Sequence, residues 1–504
     1  MHSFNASVLI ALPWLNPLSP GPSPSVIPWL LTLGSLALLM LWVAPARLEC
    51  AAASAWLSAA MISAVLGLLQ YFGGASLFDP WVNGAEVGEA FANLRQRNQF
   101  ATLTNIGMAA LLWWNARLAG GSNPACAAAS AGANHWRGAA MLAAVVLVFG
   151  NAASASRTGT VQLLLLLFLD RVWAWSAGTT RNSAGLPILL IAVLAYAVAA
   201  FALPALGGLD AQSSGILGRL HEGAAPCTSR LTLWSNVLAL IGQRPWLGWG
   251  WGELDFAHFV TLYPGPRFCD ILDNAHNLPL HLAVELGVPL ALAVCIAGGW
   301  LAWRAKPWRE TDATRQMAWA VLALILLHSM LEYPLWYGPF QMAFGLSVCL
   351  LWRGSARTTM VAPAWPGLRS GVLAGALLVI VAYAAWDYQR ISQIYLAPSL
   401  RAAAYRDHTL AKISGSWLFS NQVRFAELTT SEVTPENAAY LHDMALDLLH
   451  FSPEARVVEK LIDSALLLGR ESEASFYLAR YQAAFPESHA LWLRQRADRQ
   501  AQTP

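Results

Sequence analysis

The chain has 504 residues, of which 56% are hydrophobic and 12% charged, about half the roughly 25% charged residues typical of soluble domains. That balance excludes an ordinary soluble globular protein, and a formal net charge of +2 gives no electrostatic case for nucleic acid. The six cysteines are too scattered for a metal site or a disulfide framework, so neither a metal nor a cofactor is expected.

In chain order, apolar runs long enough to cross about 30 Å of hydrocarbon lie near 27–44, 51–72, 99–118, 138–153, 159–176, 186–206, 280–303, 317–331, 338–352 and 370–386. A shorter run at 5–15, interrupted by Pro13, lacks the basic flank of a cleaved signal peptide. The expected fold is therefore all-α: a polytopic membrane helix bundle of about eleven spans. Loops after the even-numbered spans carry Arg47, Arg117, Arg137, Arg171, Arg181, Arg304, Lys306, Arg309, Arg315, Arg353, Arg357 and Arg369. These twelve, against seven basic residues in the opposite loops, put the first set in the cytoplasm by the positive-inside rule. The long loop 207–279 and the tail 387–504 then face outward, giving a bundle of residues 1–386 that includes the loop, and a second domain of residues 387–504.

The tail holds 26 of the chain's 60 acidic and basic residues. Two similar segments, Phe451-Ser452-Pro453-Glu454 and Phe485-Pro486-Glu487-Ser488, start 34 residues apart, the period of tetratricopeptide (TPR) helical hairpins. Between them, Val457–Leu468 and Ala474–Ala484 read as an amphipathic helix pair broken at Gly469-Arg470. A TPR-like domain is expected, an unrelated helical cap being the alternative.

Polar residues that could do chemistry collect on the outward side. Arginine at a membrane is costly, by roughly 2.5–3.5 kcal/mol at a helix centre, so Arg157, in a turn of a few residues between two apolar runs, and Arg230, opening an amphipathic segment to Ala239, need a reason. Arg95 and Arg97 flank Gln96 before the span at 99–118. Two readings are open for these arginines: bidentate binding of phosphate oxygens, or snorkelling to lipid head groups.

His276 stands in Asp273-Asn274-Ala275-His276-Asn277 at the end of the outward loop, where an apolar helix is predicted from Leu278. A neutral imidazole there can take a proton from a hydroxyl, with a neighbouring carboxylate fixing its tautomer. His281, a turn further on, reads as a packing or hydrogen-bonding residue, and His258 and His221 have no supporting context. Gly248-Trp249-Gly250-Trp251-Gly252 lacks the lysine of a phosphate loop and reads as a turn whose aromatic surface, Trp249 included, could stack on sugars. Cys227 and Cys269 fall in the outward loop, where an oxidising compartment would permit a bond; two free thiols are the alternative. Further on, Glu332-Tyr333-Pro334-Leu335-Trp336-Tyr337 is a polar-aromatic turn on the same side. Glu332 is a functional candidate as an ionisable residue at a span end, while the aromatics also suit interfacial anchoring.

In order along the chain, Asn93-Leu94-Arg95-Gln96-Arg97-Asn98-Gln99, Ser156-Arg157-Thr158-Gly159, Arg244-Pro245-Trp246-Leu247-Gly248-Trp249-Gly250, Asn274-Ala275-His276-Asn277 with Glu285-Leu286-Gly287, and Glu332-Tyr333-Pro334-Leu335-Trp336-Tyr337 resemble the bacterial O-antigen ligase superfamily over roughly residues 5–386. The first and last motifs and the helical tail look most like the PglL-type protein O-oligosaccharyltransferases. The resemblance implies an inner-membrane enzyme that moves a preassembled glycan from undecaprenyl pyrophosphate to a serine or threonine hydroxyl of a periplasmic protein such as pilin, without a metal. It implies an essential role for His276 and pyrophosphate binding by Arg157 and Arg230. Catalytic support is expected from Glu332 and Tyr333, and acceptor or glycan positioning from Gln99, Asp273, Asn277, Tyr337 and Trp249. A lipopolysaccharide O-antigen ligase with a lipid A-core acceptor, an O-antigen polymerase and a flippase are the competing readings. A flippase would keep its polar residues near the bilayer midplane.

Overall fold

The computed structural model describes residues 2–19, 21–42, 48–119, 133–178, 185–209, 215–216, 226–355 and 367–502. His221, Arg47, Arg181 and Arg357 lie outside them. The described chain is helical throughout, with no strand among the described residues. Each expected apolar segment falls on a helix: His2–Leu15, Val26–Trp42, Leu48–Tyr71, Arg97–Ala119, Ala133–Ala153, Arg157–Ser176, Leu186–Leu206, Val288–Ala305, Ala313–Ser329, Gly338–Ser355 and Leu368–Ser392. Five segments are long and apolar enough to cross a membrane by length and composition: Leu48–Tyr71, Trp136–Ala153, Leu186–Leu206, Val288–Arg309 and Arg369–Tyr395.

The chain divides into two compact units, residues 1–223 with 301–385 and residues 224–300 with 386–504. In the first, small residues let helices approach closely, as expected where packing rather than hydrophobicity holds helices together. A Cβ on Gly107 would lie 2.3 Å from Ala60 Cβ, and one on Gly150 would lie 2.8 Å from Ala64 Cβ. Two ends of this unit carry different polar sets. Arg117, near the end of its helix, pairs with Glu49 Oε1 at 2.9 Å, near the start of Leu48–Tyr71. At the opposite end of the same two helices, buried Gln70 ties down the connecting loop, donating to the carbonyls of Asn83 and Ala92 and accepting from the amides of Phe91 and Ala92.

The second unit joins loop residues 224–300 to the tail from Trp386 onward. The physical reason is that the loop helix Leu254–Val260 buries Phe259 in the same core as Leu441, Leu448, Val458, Leu461 and Tyr481 of the tail. Polar contacts reinforce the join: Arg480 Nε donates to Val260 O at 2.7 Å, and His450 Nδ1 lies 2.6 Å from Glu253 Oε2 while its ring stacks on Phe256. The predicted helix pair of the tail is present as Ala455–Leu467 and Glu471–Ala484, broken at Gly469 with φ +70°. A further helix, Ala438–Leu449, packs on the first of the pair.

The segment expected to span as 280–303 is two helices, Leu278–Leu286 and Val288–Ala305. Gly287 between them has φ +86°, and a Cβ there would lie 2.2 Å from Trp246 O. The break is made by the Trp-Gly loop, whose Trp249 and Gly250 amides donate to Val284 O and Glu285 O at 2.9 and 3.0 Å, while the Val288 amide donates to Pro245 O at 2.8 Å. Hydropathy does not register this break, because Leu286, Val288 and Pro289 beside Gly287 are apolar.

Candidate active site

In the first unit the site is built on Glu332, which follows the helix Ala313–Ser329 and is buried. Its two carboxyl oxygens accept from Gln96 Nε2 at 3.0 Å and Asn98 Nδ2 at 3.2 Å. Asn98 Oδ1 in turn accepts from Ser156 Oγ at 2.6 Å, and Ser156 Oγ accepts from the Gly159 amide at 3.0 Å as the N-cap of Arg157–Ser176. Glu332 therefore holds, through Asn98, the cap of the helix that starts with Arg157. One turn deeper, Thr102 Oγ1 meets Gln162 Oε1 at 3.1 Å and His328 Nδ1 at 3.0 Å, so the cluster continues as a buried polar ladder between three helices. Tyr333 and Tyr337 stack with ring centroids 6.1 Å apart across the turn Pro334–Trp336, and Trp336 O accepts from Trp29 Nε1.

Three further candidates lie on this side. Gln99 is buried in the core, and the side chain that reaches Glu332 is Gln96. Arg95, at φ +61°, donates to Pro17 O and Asn83 Oδ1, and Arg97 forms an ion pair with Glu89. Both arginines thus tie down the loop before the helix.

In the second unit, Cys227 and Cys269 are bonded, with Cα atoms 5.3 Å apart, and the Cys269 amide donates to Cys227 O. The bond closes a loop around Arg230, the first residue of the helix Arg230–Gln243, whose cap Ser229 accepts from the Thr232 amide at 3.1 Å. Arg157 and Arg230 thus share one local design, an arginine directly after a serine N-cap. A cation at a helix N-terminus opposes the helix dipole, so helix stability explains neither.

His276 is half-buried and takes a left-handed backbone, φ +50°, held by its amide donating to Asn274 Oδ1 at 2.9 Å. Non-glycine residues reach that region at a cost, and the surrounding loop enforces it. Trp234 Nε1 donates to Ala275 O on one side, and on the other Asn277 caps Leu278–Leu286 through the Leu280 amide. Asn277 is therefore the N-cap of that helix. Desolvation raises the Asp273 carboxyl above its ordinary value while nearby His276 lowers it, so the two groups are electrostatic neighbours.

Beneath His276, His281 Nε2 lies 3.4 Å from Glu285 Oε2 with both side chains buried. Burial lowers His281 to about 4 and raises Glu285 to about 7, so both groups are driven toward their uncharged forms. His258 is a core residue, its Nε2 donating to Phe268 O and its Nδ1 accepting from Tyr263 OH, with burial pushing it down to about 3. Trp249 packs rather than presents itself: Nε1 donates to Leu240 O, and the Arg244 guanidinium lies 4.1 Å over its ring. The exposed aromatics of this loop are Trp246 and Trp251. Among the described residues no three His, Cys, Asp or Glu side chains gather as a metal-ligand group.

Three family models match in chain order: protein glycosylation ligase over residues 90–114, O-antigen ligase over 142–295, and virulence factor membrane-bound polymerase, C-terminal, over 316–500. They take in the Gln96–Asn98 segment, the two serine-capped arginines with His276, and Glu332 with the tail. A general O-oligosaccharyltransferase of Acinetobacter baylyi is 23% identical over 359 residues, covering 69% of this chain and 56% of that protein. The matched stretch thus spans a little over half of that relative. No solved structure matches. Together these matches make the chain similar to the O-antigen ligase and PglL-like proteins.

Proposed function

We propose that the chain is an inner-membrane O-oligosaccharyltransferase that moves a preassembled glycan from undecaprenyl pyrophosphate to serine or threonine hydroxyls of periplasmic proteins, pilin among the candidates. The carrying observation is the pair of serine-capped arginines, Arg157 and Arg230, placed where helix stability disfavours them. In this reading they hold the diphosphate, a role suited to planar guanidinium groups, and the Glu332–Asn98–Ser156 chain keeps Arg157 in place. The family names of the matched models and the O-oligosaccharyltransferase relative support the reaction class.

The acceptor oxygen attacks the anomeric carbon on the face opposite the diphosphate. The bond from that carbon to the diphosphate oxygen breaks, and the electron pair leaves with undecaprenyl pyrophosphate. His276 takes the hydroxyl proton, with Asp273 as its charged neighbour, and the single displacement inverts the anomeric centre. Arginine charge stabilises the departing diphosphate, so the step is metal-independent. Tyr333 and Tyr337 offer a stacked aromatic wall beside Glu332 for the glycan. In this reading the chain has eleven spans, and the loop and a TPR-like tail lie in the periplasm, where the tail presents the acceptor.

The polymerase description of the C-terminal match favours a second reading, in which the acceptor is another lipid-linked glycan. Intact-mass analysis of secreted proteins, alongside lipopolysaccharide banding, in a deletion strain separates them. Loss of glycan mass from proteins with an unchanged lipopolysaccharide ladder is expected. A ladder reduced to single units or to bare core, with protein masses unchanged, would reject the protein acceptor.

A further inference from the structure

The helix Arg230–Gln243 has an unusual outer face. Leu233, Val237 and Leu240 point into the loop's own core, whereas Leu231, Ser235, Leu238 and Gly242 are exposed. That spacing of four, three and four puts the exposed set on one stripe. Leu231 and Leu238 are 77% and 56% exposed, and the stripe carries no charge. It runs on into the turn after the helix, where Trp246 and Leu247 are 76% and 85% exposed. A helix facing water usually carries charged or polar residues on its outer face.

The turn is attached to the start of a membrane span. The Val288 amide donates to Pro245 O at 2.8 Å, and Gly287 lies directly against the Trp246 carbonyl. Val288 opens the helix Val288–Ala305, whose Leu290, Leu292, Val294, Ile296 and Trp300 are all exposed, with only 6% of its apolar window buried inside the protein. Trp246 and Leu247 consequently sit at the level where that span leaves hydrocarbon, the depth at which tryptophan is enriched.

We infer that Arg230–Gln243 and the Pro245–Leu247 turn form an in-plane membrane anchor, with the Leu231–Leu238–Trp246–Leu247 surface resting in the lipid head-group and acyl boundary. The lipid bilayer is the occupant, because the surface is uncharged and continuous with a lipid-facing span. The inference does not depend on the transferase reading. It adds that Arg230, at one end of the anchor, is held at the depth of lipid phosphates.

The test uses full-length protein in phospholipid nanodiscs, with Cys295 and Cys349, the free thiols among the described residues, changed to serine. Ser235→Cys, Leu238→Cys and Trp246→Cys are each labelled with a fluorophore, with Leu491→Cys, on an exposed tail position, as the control. Ser235→Cys is the least disruptive and keeps the test alive if a larger change impairs folding. At all three loop positions, lipids brominated near the top of the acyl chain should quench several-fold more than at Leu491→Cys, and aqueous iodide should quench several-fold less. Iodide quenching equal to the control would overturn the anchor. Protection from both quenchers would overturn it too, since protein rather than lipid would then cover the stripe.

Discussion

Around Glu332, both carboxyl oxygens are matched by amide donors on a neighbouring helix, and those amides carry the order on to a helix cap. Around His276, the order comes from backbone geometry instead: a left-handed residue between Asn274 and Asn277, closed from below by a disulfide-bonded loop and a glycine-tight turn. The first arrangement holds the cap of the helix that begins with Arg157. The second leaves an imidazole half-buried in a loop. Side-chain bonds set the order in one unit and backbone geometry sets it in the other.

The strongest way to break the contrast is to attack the loop at its tightest point. Gly287→Ala adds a Cβ 2.2 Å from Trp246 O at φ +86°, so the backbone of the Trp-Gly turn must move. We expect a loss of about 3 kcal/mol or more from the second unit, seen as faster protease cleavage within 224–300 and loss of transfer. Wild-type resistance would show that the loop is not held by this approach.

On the bundle side, Glu332→Ala removes the acceptor for both Gln96 and Asn98. Hydrogen bonds to a charged group are worth about 1.5–3 kcal/mol, so the melting temperature in detergent should fall clearly, and donor affinity should fall with it as the Arg157 helix start loosens. Protease resistance of residues 224–300 should not change. A variant that melts like wild type but has lost transfer would make Glu332 a reacting group rather than a positioning one.

The helices and their chain order were legible in the sequence, because apolar length is a local property. The Cys227–Cys269 bond was legible as one of two options. The Gln96–Glu332 contact was hidden, since its partners lie 236 residues apart. The structural roles of Arg95, Arg97 and Asn277 were equally hidden: their partners, Pro17, Glu89 and the Leu280 amide, are set by backbone folding. The split at Gly287 was hidden inside a mostly apolar run.

The smallest effect concerns pH. Burial raises Asp255 to about 7, with Asp273 and Glu253 adding to the rise and the Phe256 amide opposing it. A carboxyl raised on folding contributes stability that is full below its unfolded value and lost as pH climbs through the folded one. The second unit should therefore weaken between about pH 4 and pH 7 from this group. Asp255→Asn should raise the melting temperature by a few degrees at pH 8, roughly what 1 kcal/mol produces in a domain of this size, and by less at pH 5. An equal shift at both pH values would place the effect in packing rather than titration.

The most direct measurement uses purified protein with an undecaprenyl-pyrophosphate-linked glycan and a serine-containing acceptor peptide, comparing wild type with His276→Ala. The expected result is transfer by wild type and loss of at least about a hundredfold in turnover for the variant, the size of a general-base contribution, with donor binding and melting temperature nearly unchanged. Transfer by His276→Ala at the wild-type rate would contradict the assignment of His276 as the group that takes the acceptor proton.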